Sequence, residues 1–163
     1  MINNFIKNIL VAVAFVLMLP AVSSAQTTKY KCMIQMTNYM GEGAYMVISL
    51  IDSKGAYEKT LYVLGSDKKW YKTLKEWNKF YLKKPAAVVS AITGASVTGG
   101  DRSVNVIEIE NSKINAGYKL RFESAVEDKT YNVKDLEIPL TTAALEAKSE
   151  GTGYIRYVRF SAN

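Results

Sequence analysis

The run YMVISLI, Tyr45 to Ile51, is apolar on both of its alternating faces apart from Ser49. A strand with no wet face belongs centrally in a sheet. It is followed by the turn DSKG, Asp52 to Gly55, and by AYEKTLYVLG, and the Asp-to-Gly turn predicts a hairpin. Upstream, Tyr30, Cys32, Ile34 and Met36 alternate with Lys29, Lys31 and Gln35, the pattern of a half-buried strand with Cys32 as a buried structural thiol.

After the hairpin the period changes. In DKKWYKTLKEWNKFYLKKP, Trp70, Leu74, Trp77 and Tyr81 are spaced by four, three and four, with Lys and Glu on the other side. This predicts an amphipathic helix stopped by Pro85, its stripe packed on a sheet, with Tyr71 and Phe80 left over for a partner. SVNVIEIEN reads as a strand that changes phase near Val106 and Ile107. In GYKLRFESA, Tyr118, Leu120 and Phe122 oppose Lys119, Arg121 and Glu123. TYNVKDLEIPL and GTGYIRYVRFSA supply two more strands, and TTAALEAKSEGTG a loop with one helical turn. About seven short strands, one helix and no internal repeat predict an all-β fold, an immunoglobulin-like antiparallel β-sandwich with one amphipathic helix, as a single domain over residues 26–163.

Residues 1–25 read as a secretory signal peptide. Lys7 precedes the apolar run ILVAVAFVLMLP, and small residues stand at Ser23 and Ala25. The run is too short for a membrane span, which needs about 20 apolar residues. Lys31 before Cys32 argues against a lipid anchor. The expected product is a periplasmic or secreted soluble domain cleaved near Ala25, with 20 basic and 15 acidic side chains. The basic surplus is dispersed among carboxylates, which argues against nucleic-acid binding.

The chain has no histidine, which removes the usual general base, the commonest metal ligand and every Ser-His or Cys-His pair. One cysteine gives no internal disulfide. Glu108 and Glu110, two apart on a strand, share a face, and an outward face accounts for them without catalysis. Gly99, Gly100 and Asp101 mark a turn. The expectation is a non-enzymatic protein with no catalytic residues and no metal, although a carboxylate-based enzyme stays open.

SAITGAS, Ser90 to Ser96, is as spacing only a turn of small residues. It also resembles the acceptor pattern of the exported FAD:protein FMN transferase. Ala91 and Ile92 fit two variable positions, Thr93, Gly94 and Ala95 the central triplet, and Ser96 the acceptor hydroxyl, while Ser90 stands where the pattern has Asp. The resemblance implies FMN joined covalently through its phosphate, with the base and magnesium belonging to the transferase.

A second resemblance covers about Tyr45 to Ala125. The hairpin turn with Asp52, Gly55, Thr60 and Leu61, the helix with Trp77, the TGAS loop and the strand Gly117 to Arg121 resemble a family of predicted periplasmic proteins known only as a domain of unknown function. Such proteins are similar to the immunoglobulin-like domain of the flagellar hook-capping protein and tend to occur with PepSY-type membrane flavoreductases and the FMN transferase. The resemblance implies an exported accessory of extracytoplasmic electron transfer carrying FMN on Ser96. The alternative is an unmodified periplasmic adaptor that docks on a membrane partner and has no redox role.

Overall fold

The structure is a computed structural model that describes residues 26–85 and 92–162. The signal peptide over 1–25, and Ser90 and Ala91, lie outside the described residues. Among the described residues nine strands form: β1 (Thr27–Met36), β2 (Tyr45–Ile51), β3 (Tyr57–Leu64), β4 (Ile92–Gly94), β5 (Arg102–Glu110), β6 (Lys119–Ala125), β7 (Tyr131–Pro139), β8 (Ser149–Glu150) and β9 (Ile155–Ala162). Two helices accompany them, α1 (Lys75–Lys83) and α2 (Thr142–Glu146), the second being the helical turn expected between the last strands.

The β2–β3 hairpin closes as its turn residues require. Asp52 Oδ1 accepts the backbone N–H groups of Lys54 and Ala56 at 2.9 and 2.8 Å, and Gly55 takes a φ of 87°, a conformation favoured in glycine. β2 then pairs with β6 on its other side, and the full sheet runs β4-β3-β2-β6-β7. The second sheet runs β5-β1-β9-β8. Every pairing is antiparallel except β3 with β4.

The chain forms the all-β sandwich expected from its sequence. Ile34 and Met36 of β1, Ile107 and Ile109 of β5 and Val158 of β9 pack against Met46, Ile48, Leu64 and Phe122 of the other sheet. Cys32 lies in this layer, fully buried, and burial pushes its thiol well above the usual cysteine range. The outer face of the five-stranded sheet is covered as well. Leu74, Trp77 and Phe80 pack there on Val47, Val63 and Ala125, so β2 is buried on both sides.

Several local expectations are corrected. The segment expected as one helix is a 3-10 helix, Lys68–Thr73, followed by α1, with the break at Leu74 (φ −84°, ψ 68°). Asp67 caps the first piece by accepting the Lys69 N–H at 3.1 Å. The break turns Tyr71 into the core beside Leu74 and Trp77. Tyr71 and Phe80 are therefore buried packing residues rather than free partner contacts.

β5 keeps one phase. Asn105, Ile107 and Ile109 face inward, while Val104 and Val106 stand on the outer face with Glu108. In β6 the alternation holds, but the second face is covered too: Glu123 lies beneath α1, and Arg121 is buried against Glu137 and the Tyr57 ring. The Gly99–Gly100 turn is present, and a Cβ at Gly99 would approach the Tyr39 carbonyl oxygen to 2.0 Å.

Candidate functional site

SAITGAS is more structured than a free turn. Ile92, Thr93 and Gly94 form β4, parallel to β3, with Thr93 opposite Val63 and Gly94 opposite Leu64. The Gly94 carbonyl accepts the Gly65 N–H at 2.7 Å, and a Cβ at Gly94 would come within 2.9 Å of the Tyr62 hydroxyl oxygen. Glycine is needed there for a close approach. Three residues later Val97 bridges Ala44, giving and receiving backbone hydrogen bonds of 3.2 and 2.8 Å. The Tyr39 hydroxyl donates to the Val97 carbonyl and accepts the Ala44 N–H at 2.8 Å. Ala95 and Ser96 are thus the exposed span between two anchored points.

Ser96 lines a cavity of about 160 Å³. The half-buried Tyr45 and Trp70 line it too, together with Glu42, Gly43, Thr73 and Glu127. A Cβ at Gly43 would lie 2.6 Å from Ser96 Oγ, so the absence of a side chain at residue 43 leaves room for that hydroxyl. The ammonium of Lys69 sits 5.3 Å from the centre of the Trp70 ring and 3.0 Å from Asp67. Asp67 holds it above the usual lysine range, and Glu127 adds in the same direction.

Of the residues expected at the site, Ser96 and Ala95 are brought to the surface, Gly94 packs on Tyr62, and Thr93 is placed by its backbone on β4. Glu42, Gly43, Thr73 and Glu127 were not legible as site residues, because they arrive from three separate segments and carry no motif.

The other candidates have structural roles. Glu108 is an exposed outer-face residue 3.4 Å from Lys29. A second carboxylate, Glu123, forms a buried polar cluster beneath α1. It accepts the hydroxyls of Tyr57 and Tyr131 and the Trp77 N–H at 3.3 Å. The Tyr131 hydroxyl in turn accepts the Glu76 N–H at 2.9 Å, and Trp77 Nε1 donates to Thr60 Oγ1 at 2.8 Å. Burial raises the Glu123 carboxyl above the usual range, while the hydrogen bonds from Tyr131, Tyr57 and Trp77 pull it back. Its donors are fixed to the helix and sheet, so the cluster clamps α1 in place. Among the described residues no group of three or more His, Cys, Asp or Glu side chains is arranged to hold a metal ion.

No helix among the described residues is long and apolar enough to cross a membrane. No curated protein and no solved structure matches the chain significantly. Residues 27–157, from β1 into β9, match the family described as predicted periplasmic protein (DUF2271), a wider span than the motifs between Tyr45 and Ala125, and the chain belongs to that family.

Proposed function

We propose that this periplasmic protein is a non-enzymatic electron carrier whose Ser96 hydroxyl accepts FMN through its phosphate. The observation that carries the reading is the exposed Ser96, held between two backbone anchors and sharing a cavity with Trp70 and Tyr45. Attachment forms the bond from Ser96 Oγ to the flavin-side phosphorus of FAD as the bridge between the two phosphates breaks. AMP leaves with the bridging oxygen, and the hydroxyl proton passes to the transferase's base. Gly94 and Ala95 keep bulk away from the hydroxyl. Glu42 and Glu127 are the acidic residues that line the same cavity as Ser96, and either is a candidate to take the part of the Asp that Ser90 replaces.

The residues fit surface attachment rather than enclosure. A cavity of about 160 Å³ falls below the roughly 300–1,000 Å³ of sites that surround a ligand. Trp70 and Tyr45 offer aromatic surface for a ring held on its tether. Bound FMN supplies one- and two-electron chemistry, and a membrane flavoreductase is the partner class it implies.

Co-expression with an FAD:protein FMN transferase tests the reading. Flavin fluorescence should follow the band on a denaturing gel, the intact mass should increase by one FMN, and Ser96→Ala should abolish both. A wild-type mass that shows only leader removal under those conditions would exclude the carrier and leave the unmodified adaptor.

A further inference from the structure

Sheet edges present unpaired backbone groups, and folded proteins blunt them with short strands, bulges, proline, lysine or inward charge. Three edges of this sandwich are blunted in these ways. β4 has three residues and β8 two. β7 carries Pro139, exposed Lys134, the buried Asp135 and a register shift opposite Phe122 to Ser124. β5 has no proline, lysine, bulge or inward charge, and its outer-face charges, Arg102 against Glu108 and Glu110, are of opposite sign. It runs nine residues in unbroken register with β1 and pairs with no other strand among the described residues.

The hydrogen-bonding phase of β5 follows from its flanks. The Met36 N–H donates to the Asp101 carbonyl at 3.0 Å and the Asn111 N–H to the Gln26 carbonyl at 2.9 Å, both in the same register as the strand pair. Hydrogen-bonded and non-hydrogen-bonded pairs alternate in an antiparallel ladder. Residues 103, 105, 107 and 109 are therefore bonded to β1, and Arg102, Val104, Val106, Glu108 and Glu110 aim their N–H and C=O groups at the open edge. Val104 is 59% exposed.

We propose that β5 is a self-pairing edge that joins two copies of this chain. With β5 antiparallel to its copy about Asn105, Arg102 meets Glu108, and Val104 meets Val106, in both directions. The strand is thus complementary to itself in charge, in apolar contact and in backbone phase. The product is a continuous eight-stranded sheet made from two four-stranded ones. It leaves the Ser96 cavity free, because that cavity is built on the other sheet and its flanking loops.

Light scattering of the mature chain across a concentration series, with hydrogen exchange at each concentration, tests this. A dimer should form as concentration rises, with the amides of Val104 and Val106 slowing in step. Arg102→Glu should weaken dimerisation about tenfold, since symmetry turns two opposite-charge pairs into like-charge pairs. The double variant Arg102→Glu, Glu108→Arg should restore it. Val106→Pro removes only an edge-facing donor and should abolish the dimer while leaving the thermal melt cooperative. A wild-type chain that stays monomeric throughout, or a dimer that survives both Arg102→Glu and Val106→Pro, overturns the proposal.

Discussion

The five-stranded sheet is buried on both faces, but the two faces are built differently. Against the second sheet it presents Met46, Ile48, Leu64, Leu120 and Phe122, an apolar layer fixed by shape. Against α1 it presents Val47 and Val63 beside Thr60, Arg121 and Glu123, all buried and tied by hydrogen bonds or an ion pair. The difference teaches what a polar layer adds. A helix of nine residues is too short to be stable alone, and apolar contact by itself would let it slide or rotate on the sheet. Directional bonds donated by the Trp77 backbone N–H to Glu123, and by Trp77 Nε1 to Thr60, fix where it sits.

Breaking the apolar face should cost most. Phe122→Ala opens a cavity between the sheets and should remove about 3–5 kcal/mol in urea unfolding, with no change in the pH dependence of stability. A smaller loss is expected on the helix face. Glu123→Ala leaves the Tyr57 and Tyr131 hydroxyls and the Trp77 N–H without their acceptor and should cost about 1–3 kcal/mol. Hydrogen exchange should then quicken in α1 before it does in β1, β2 or β6. Uniform quickening would mean that the polar layer does not hold the helix separately.

The smallest effect is the most diagnostic of the difference between faces. A carboxyl whose native pKa is raised holds its proton more tightly folded than unfolded. Its contribution is fully present in acid and is lost as pH rises from the ordinary carboxylate range through the raised native value. Glu123→Gln should flatten that fall relative to wild type, read as converging stability-against-pH curves. Parallel curves would show that Glu123 does not titrate differently in the folded state.

This contrast also explains what was legible in the sequence. Apolar residues on both faces of Tyr45–Ile51 required a central strand, and alternation located β1, β6 and the hairpin. Alternation separates the two sides of a strand but does not say what covers the second one. Lys119, Arg121 and Glu123 therefore read alike as wet, although the last two are buried, Glu123 beneath α1 and Arg121 against Glu137 and Tyr57. The adjacent apolar pair Val106 and Ile107 suggested a phase change, whereas Val106 simply stands on the outer face of a strand that keeps one phase. At the site, the resemblance singled out Ser96, whereas the cavity beside it depends on a fold that brings Gly43, Trp70 and Glu127 together. The break at Leu74, which separates Trp70 from the helix proper, is set by tertiary packing that the four-three-four spacing conceals.

The position of β1 has a consequence for how the chain must be made. Its two neighbours are Arg102–Glu110 and Ile155–Ala162, both far from it in the chain. Neither β2 nor β3 pairs with it, so its edges stay open until those distant segments arrive. Such long-range closure makes folding slow and late. A chain cut before β9 would leave Cys32, Ile34 and Met36 without half of their cover, so closure of this sandwich hinges on a single distant strand.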